Sequence, residues 1–414
     1  MKVNNTLKEK KFLLTQSSLN WLAGSEVYTL ELAEFLQNNG AKVKVFTYYL
    51  DYPIKDVFEN KKIEVITDEN ILTMRDFDYI WVNHQTLPAS IIKELKDCVK
   101  IPIFIFNHMS PFENIPIERP YIWDLEEKLA SISVFNSQET LKEQKGFFKS
   151  SQLKIVLPNP APEEFSKIII EPNKSVKKVL IVSNHVPPEI FSAGKLLNKK
   201  GISVTYASTD SIKPLLIDAV YISRFDVVIS IGKTVQYCLT AGVPIYVYDY
   251  FGGPGYINTD NFLASEEKNF SGRGFEVKTA ENIAEEIIKN YTDALNYQRD
   301  RRVDFIYKFS IHKTLPLVIN ELNTKKAPRF TKRYVDYLLI TYRKNSDDLI
   351  YMRQQQKMIK KNMINLEKSN KQKNILDKEL VKKRNELAEI KNSYLWKLIQ
   401  PIRKINLLIK NIID

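Results

Sequence analysis

Four histidines, several glycine-bearing loops and a few basic side chains are where this 414-residue chain could do chemistry. His84 and His108 each close a short apolar run, in Asn83-His84 and Asn107-His108. If those runs are parallel strands, both imidazoles stand at strand carboxyl ends, where open α/β sheets bind ligands. His108 is read toward a ligand, and His84 toward a hydrogen-bonded structural role. His185, beside Asn184 in Val182-Ser183-Asn184-His185-Val186-Pro187-Pro188, occupies the matching place further along, whereas His312 lies far from any such strand end and reads as structural. The densest signal runs from Ile231 to Phe275. Gly232-Lys233-Thr234 opens a helix straight after a strand, so Lys233, Thr234 and the first backbone N–H groups can meet a phosphate. The glycine framework of a Walker loop is missing. Next, Tyr248-Asp249-Tyr250-Phe251-Gly252-Gly253-Pro254-Gly255-Tyr256 reads as a loop whose N–H groups, around Gly252 and Gly253, can cradle a pyrophosphate. In Asn269-Phe270-Ser271-Gly272-Arg273-Gly274, Arg273 suits bidentate phosphate recognition. Each loop alone also fits a tight turn; their clustering favours a ligand. Nearer the start, Leu22-Ala23-Gly24-Ser25-Glu26 opens a long helix. Gly24 there allows close backbone approach, and Ser25 fits equally as an N-cap.

The elements that must position these residues are legible in the hydropathy pattern. Phe12–Leu14, Lys42–Thr47, Ile63–Thr67, Phe77–Asn83, Ile101–Phe106 and Ile132–Phe135 read as strands, rich in Val, Ile, Phe and Tyr. Glu26–Asn38 reads as a helix with one broad apolar face, stopped by Gly40. Such alternation implies a parallel sheet covered on both faces. Leu157-Pro158-Asn159-Pro160-Ala161-Pro162 cannot be helical and reads as a hinge. Strands then resume at Lys178–Val182, Ser203–Tyr206, Asp226–Ile231 and Pro244–Tyr248. The expected architecture is α/β: two Rossmann-like domains facing a cleft, residues 1–160 and 161–322, followed by a helical extension over 323–414.

Composition narrows the class. The chain is 44% hydrophobic and 27% charged, which excludes a disordered polypeptide, and its two cysteines exclude a disulfide framework. The amino-terminal stretch MKVNNTLKEKKFLL has no sustained apolar core, so no signal peptide is expected, and no apolar run reaches spanning length. A cytoplasmic protein is expected. The net charge of +12 is carried by the last segment: residues 324–414 hold 23 Lys and Arg against 9 Asp and Glu. A neutral body with a basic appendage argues against a nucleic-acid partner. Ser346–Lys391 has no Gly or Pro and reads as a helix of roughly 70 Å. Met352, Ile359, Leu366, Leu380, Leu387 and Tyr394 fall on one seven-residue ladder, broken by Lys373, while Gln356, Met363, Asn370, Asp377, Arg384 and Lys391 beside it are mostly polar. This is a one-sided coiled-coil seam that pairs with a copy of itself or a partner, or a solvated helix. Tyr394–Asp414 combines an apolar stripe including Trp396 with Lys397, Arg403, Lys404 and Lys410. It fits the surface of an anionic membrane, or packing on protein.

These segments together resemble the GT-B glycosyltransferases that build bacterial capsular and other surface polysaccharides. Ala23-Gly24-Ser25-Glu26 through Ala33 is similar to that group's Gly-Gly-x-Glu acceptor-side loop and first helix. Asn107-His108 resembles its donor-reaching histidine, Gly232 through Pro244 its donor-site helix and Gly-x-Pro turn, and Phe251-Gly252-Gly253-Pro254-Gly255 its following loop. The segments Phe135-Asn136-Ser137 and Leu157–Pro160 resemble the strand ends before the hinge, and Ser393–Arg403 resembles a tail of polysaccharide-assembly transferases. The resemblance implies a nucleotide-sugar donor in the second domain and a glycan acceptor in the first, with Ser25 and His84 on the acceptor side. It also implies no metal or other cofactor, basic groups and helix N-termini serving the diphosphate, and His108 as a catalytic group. The acceptor would be lipid-linked, at the inner face of the plasma membrane. The chain departs from the group's pattern: Ser183-Asn184-His185 stands where a Gly-Arg is usual, and Ile229 and Tyr237 where two carboxylates are usual. A carboxylate that orients the donor is then missing, or Gln236, Tyr237 or Asp249 replaces it, and His185, Lys233 and Arg273 share the diphosphate. A non-catalytic subunit of the same fold, organising a partner transferase, is the competing reading; an epimerase is a third.

Overall fold

The computed structural model describes residues 7–112, 121–149, 151–207, 215–320, 322 and 324–393. Seven parallel strands form the first sheet: β1 (Lys11–Leu19), β2 (Lys42–Leu50), β3 (Glu64–Ile66), β4 (Tyr79–Asn83), β5 (Ile103–His108), β6 (Ala130–Phe135) and β7 (Lys154–Val156). Their spatial order is β3-β2-β1-β4-β5-β6-β7. The second sheet contains β8 (Lys178–Val182), β9 (Ser203–Ala207), β10 (Val227–Ser230), β11 (Ile245–Asp249) and β12 (Gly252–Tyr256), ordered β12-β11-β10-β8-β9. Only β12 runs antiparallel, against β11.

The apolar runs become strands because both faces of each sheet are covered. β4 reads Tyr-Ile-Trp-Val-Asn, and all five side chains are buried. Successive side chains point to opposite faces, so such a continuous run supplies both. Trp81, Ile105 and Val134 join one cluster with the Gly24–Asn38 helix, while Ile80, Val82, Phe104 and Phe106 join the other. The second sheet is sandwiched in the same way.

The expected strands are present. The sequence reading missed two. β7 is only three residues long, and β12 is Gly-Gly-Pro-Gly-Tyr, a composition that reads as loop. The long helix spans Lys332–Asn392, starting fourteen residues earlier than the expected Ser346. Thr331 begins it, its Oγ1 accepting from the Tyr334 N–H at 3.2 Å.

After the second sheet the chain returns to the first. Ala161 and the 309–311 segment exchange backbone hydrogen bonds of 2.7 and 2.9 Å. The helix Ile311–Asn320 then buries Ile311, Leu315, Val318 and Ile319 in the cluster containing Phe12 and Trp81. The first turns of the long helix add Val335, Leu338 and Tyr342 to the other cluster of that sheet. The chain accordingly divides into a compact unit Met1–Leu349, holding both sheets, and a second unit Ile350–Asp414, whose described residues are the remainder of the long helix. The expected amphipathic tail Tyr394–Asp414 lies outside the described residues.

Candidate active site at the facing strand ends

The carboxyl ends of the two sheets share one cleft of about 490 Å³ within the first unit. Met109 follows β5 and Asn136 follows β6 on one side. Ser183, Asn184 and His185 follow β8, Ile231 follows β10, and Asp249 ends β11 on the other. Two helices begin at the cleft, one from each half: Gly24–Asn38 presents Gly24 and Ser25, and Lys233–Ala241 presents Lys233 and Thr234. The opening N–H groups of a helix have no intrahelical acceptor and carry partial positive charge. Local chemistry sets both starts. At the first, the buried Glu26 carboxylate accepts from the backbone N–H groups of Asn20 (2.9 Å), Trp21 (3.2 Å) and Ala23 (3.2 Å). The N-cap is therefore Ala23, with Glu26 folding the loop, rather than Ser25 as the sequence allowed. At the second, Gly232 has φ +57°, which leaves a non-glycine residue strained.

The lining is mixed: Leu22, Val27, Met109, Leu216 and Ile217 supply apolar wall, and Ser25, Asn136, Asn159, His185, Lys233 and Thr234 supply polar groups. Among the described residues, Asp249 is the one carboxylate lining the cleft. Burial raises its carboxyl above the ordinary aspartate range; the Tyr250 N–H and the nearby His185 pull the other way. His185 and Asn184 are exposed at the cleft wall.

Lys233 lines the cleft but is largely committed. Its Nζ lies 2.5 Å from Glu31 Oε2 and donates to the Pro160 carbonyl at 2.7 Å. The Tyr237 hydroxyl also donates to Glu31. Glu31 belongs to the first-half helix, Pro160 to the hinge and Lys233 to the second-half helix, so one ammonium ties three segments. Burial raises the Glu31 carboxyl and lowers the Lys233 ammonium, so each is pushed toward its neutral form while the pairing resists. Sequence reasoning missed Glu31. An acid between Leu30 and Leu32 in an otherwise buried stretch was a signal, but its partner 202 residues away was not visible.

Several candidates sit elsewhere than expected. His108 ends β5, yet its ring does not line the cleft. Its Nε2 lies 2.9 Å from the fully buried Glu126, and it stacks on Phe135 at 4.7 Å. His84 is buried as well, its Nδ1 2.9 Å from Ser17 Oγ and 3.2 Å from Gln16 Nε2; Gln16 in turn reaches Ser25 at 3.3 Å. Arg273 holds Glu139 through two nitrogens, its Nε at 3.1 Å, and its guanidinium packs 4.9 Å from the Phe112 ring. It ties the halves together beside the cleft and does not line it. Gly252 and Gly253 do not line the cleft: both are in β12, where a Cβ on Gly252 would strike the Glu276 carbonyl and one on Gly253 the Val247 carbonyl. Gln236 is buried and donates to Asn269 Oδ1 at 3.2 Å, and Asn159 of the hinge donates to the same atom at 3.1 Å. Asn159 and Asn269 line the cleft and were not chosen from sequence. Asn269 has φ +52°, which places its side chain at the cleft. No group of three or more His, Cys, Asp or Glu suited to a metal occurs among the described residues.

Solved structures with this arrangement are glycosyltransferases. A glycosyltransferase from Rickettsia africae ESF-5 superposes with a TM-score of 0.50 at 13% identity, over 75% of this chain and 97% of that one. The fold is that of the GT-B glycosyltransferases. Anabaena Alr3699/HepE in complex with UDP-glucose gives a TM-score of 0.47 at 12% identity, over 76% and 99% of the two chains. Spinosyn forosaminyltransferase SpnP gives 0.44 at 12%, over 76% and 100%. No family model and no curated protein sequence matches this chain.

Proposed function

We propose that the protein transfers a sugar, of the hexosyl type, from a nucleotide-sugar donor to a glycan acceptor. The observation that carries this is the convergence of two helix N-termini, one from each half, on a single cleft at the strand carboxyl ends. The donor diphosphate would lie against the Lys233–Ala241 helix, on the N–H groups after Gly232 and the Thr234 hydroxyl. As the bond from the anomeric carbon to the diphosphate oxygen breaks, charge grows on that oxygen, and the helix N-terminus stabilises it without a metal. The acceptor oxygen bonds to the anomeric carbon, and Asp249 takes its proton. A carboxylate with a raised pKa is the better base for this step. Lys233 contributes by holding the Pro160 segment and the two helices in register, and His108 by packing on Phe135 at the end of β6. The acceptor is read as a lipid-linked precursor of a bacterial surface polysaccharide, with Tyr394–Asp414 holding the enzyme at the inner membrane face; no helix among the described residues is long and apolar enough to cross a membrane. Deleting 394–414 is then expected to release the protein from vesicles of anionic lipid.

The second reading, a non-catalytic subunit that binds nucleotide-sugar or glycan beside a partner transferase, is favoured by the commitment of Lys233 to Glu31. A thermal-shift panel of nucleotides and nucleotide-sugars, followed by a release assay, decides. A true donor at a hundred times its dissociation constant stabilises by about 2.7 kcal/mol. A shift confined to one nucleotide family, lost in Thr234→Val, together with release of that nucleotide when its sugar derivative and a glycan acceptor are supplied, supports the transferase; a shift without release supports the subunit. No shift with any nucleotide moves the assignment to the subunit.

A further inference from the structure

Among the described residues of the second unit, none covers a seam that runs along the long helix. Along Lys332–Asn392, Met352, Ile359, Leu366, Leu380 and Leu387 recur every seven residues, between 47% and 62% exposed. Taking them as the a positions of a heptad puts Leu376 and Ile390 at d, both more than half exposed, with polar Gln355, Asn362, Ser369 and Lys383 at the other d positions. Apart from Lys373 and Lys383, the basic excess falls outside the a and d positions of this seam. Arg353, Lys357, Lys360, Lys361, Lys368 and Lys371 all take b, c or f positions, on the outer face. The g positions Glu379 and Glu386 and the e positions Arg384 and Lys391 are different, for they flank the seam.

We infer that this helix pairs with a second copy of the chain as a parallel, in-register coiled coil over Met352–Ile390. In that arrangement each g residue faces the e residue five positions later on the partner. Glu379 then faces Arg384 and Glu386 faces Lys391, and two-fold symmetry makes four such pairs. An antiparallel copy would set this charged third against neutral Tyr351, Gln356, Met358 and Met363, leaving all four charges unmatched. Upstream, the flanking g–e pairs are Tyr351–Gln356, Met358–Met363, Asn365–Asn370 and Gln372–Asp377, with no like charges opposed. Lys373 at a and the polar d residues interrupt the apolar ladder, and in register Lys373 and Lys383 each meet their own copy, which costs stability; a single polar residue at a fixes register. In the single chain Lys383 is held by Glu386 at 2.8 Å, the carboxylate that Lys391 of the other copy would then share. The seam is about 57 Å long at 1.5 Å per residue. The pairing does not depend on the activity proposed for the cleft.

Sedimentation equilibrium of the full chain is expected to give a dimer in the micromolar range. The variant Glu379→Lys/Glu386→Lys opposes like charges and should weaken self-association about tenfold or more. So should Arg384→Glu/Lys391→Glu. Mixing the two variants should restore a heterodimer, an outcome only the parallel g–e pairing gives. Leu387→Cys should form a symmetric disulfide under mild oxidation. Far-ultraviolet circular dichroism of each variant separates lost pairing from lost helix. A wild-type chain that stays monomeric at tens of micromolar overturns the inference. So does a dimer indifferent to the charge reversals, or a mixture that forms no heterodimer.

Discussion

At the scale of the residue, the cleft holds one acid whose setting suits proton transfer. Asp249 ends β11, half-buried, and burial holds its carboxyl above the ordinary range. Activity requiring the ionised form should therefore rise with pH through a value above that of a solvated aspartate. His185→Ala removes the influence that lowers this value, so the acid limb of the pH profile of kcat/KM should move to higher pH. Asp249→Asn should cost about 10²- to 10⁴-fold in kcat. Because the folded state disfavours the charged carboxylate, the stability tied to this group is present below its unfolded pKa and lost as pH rises through the folded one. Asp249→Asn should thus leave Tm unchanged or higher at neutral pH while activity falls. A mutant that loses both would assign Asp249 to the fold. The sequence made Asp249, His185 and Thr234 legible as cleft residues because each lies at a strand's carboxyl end or within four residues of it. It misplaced Arg273 and His108, because a place in a glycine loop or at a strand end fixes where a side chain starts and says nothing of the acid waiting for it, here Glu139 and Glu126.

At the scale of the element, the pattern of apolar runs located ten of the twelve strands, and both misses have a local cause. β7 is shorter than any periodicity can register. β12 hides behind its glycines, which are required by close packing: the antiparallel turn from β11 brings the chain against its own carbonyls at Val247 and Glu276. A Cβ at either site must displace backbone, and Gly252 adds a φ of +87°. Gly253→Ala should therefore lower stability by about 1–3 kcal/mol or more, as overpacking does. It should leave nucleotide affinity of the folded fraction intact, measured by urea unfolding beside titration. A selective loss of affinity at unchanged stability would return these glycines to the diphosphate. The first heptads of the long helix posed a different difficulty. Tyr334, Val335, Leu338 and Tyr342 fit the core of the first sheet, a use that a search for a free-standing coil does not seek.

At the scale of the whole molecule, the two halves of the first unit are held across the cleft by two ion pairs of opposite legibility. Lys233 was visible as a phosphate candidate and Arg273 as another, yet each is engaged by a carboxylate from the other half, Glu31 and Glu139. Such partners depend on how two sheets are set against each other, which no single stretch of sequence encodes. The two assignments of Arg273 predict opposite signs. If its guanidinium serves the diphosphate, Glu139→Gln releases it and tightens nucleotide binding. If it serves closure, Glu139→Gln slackens the join between the halves and weakens binding, as Arg273→Ala also should, and the double mutant should be little worse than either single one. The structure favours the second: Arg273 is seated on Glu139 and the Phe112 ring, away from the cleft lining. A partly buried pair of this kind is worth little in net stability, because desolvation offsets the attraction. Its effect should therefore appear in affinity and in the closed fraction more than in Tm. Calorimetric titration of the two singles and the double with the nucleotide found in the thermal panel reads the sign directly, and tighter binding in Glu139→Gln would restore Arg273 to the donor site.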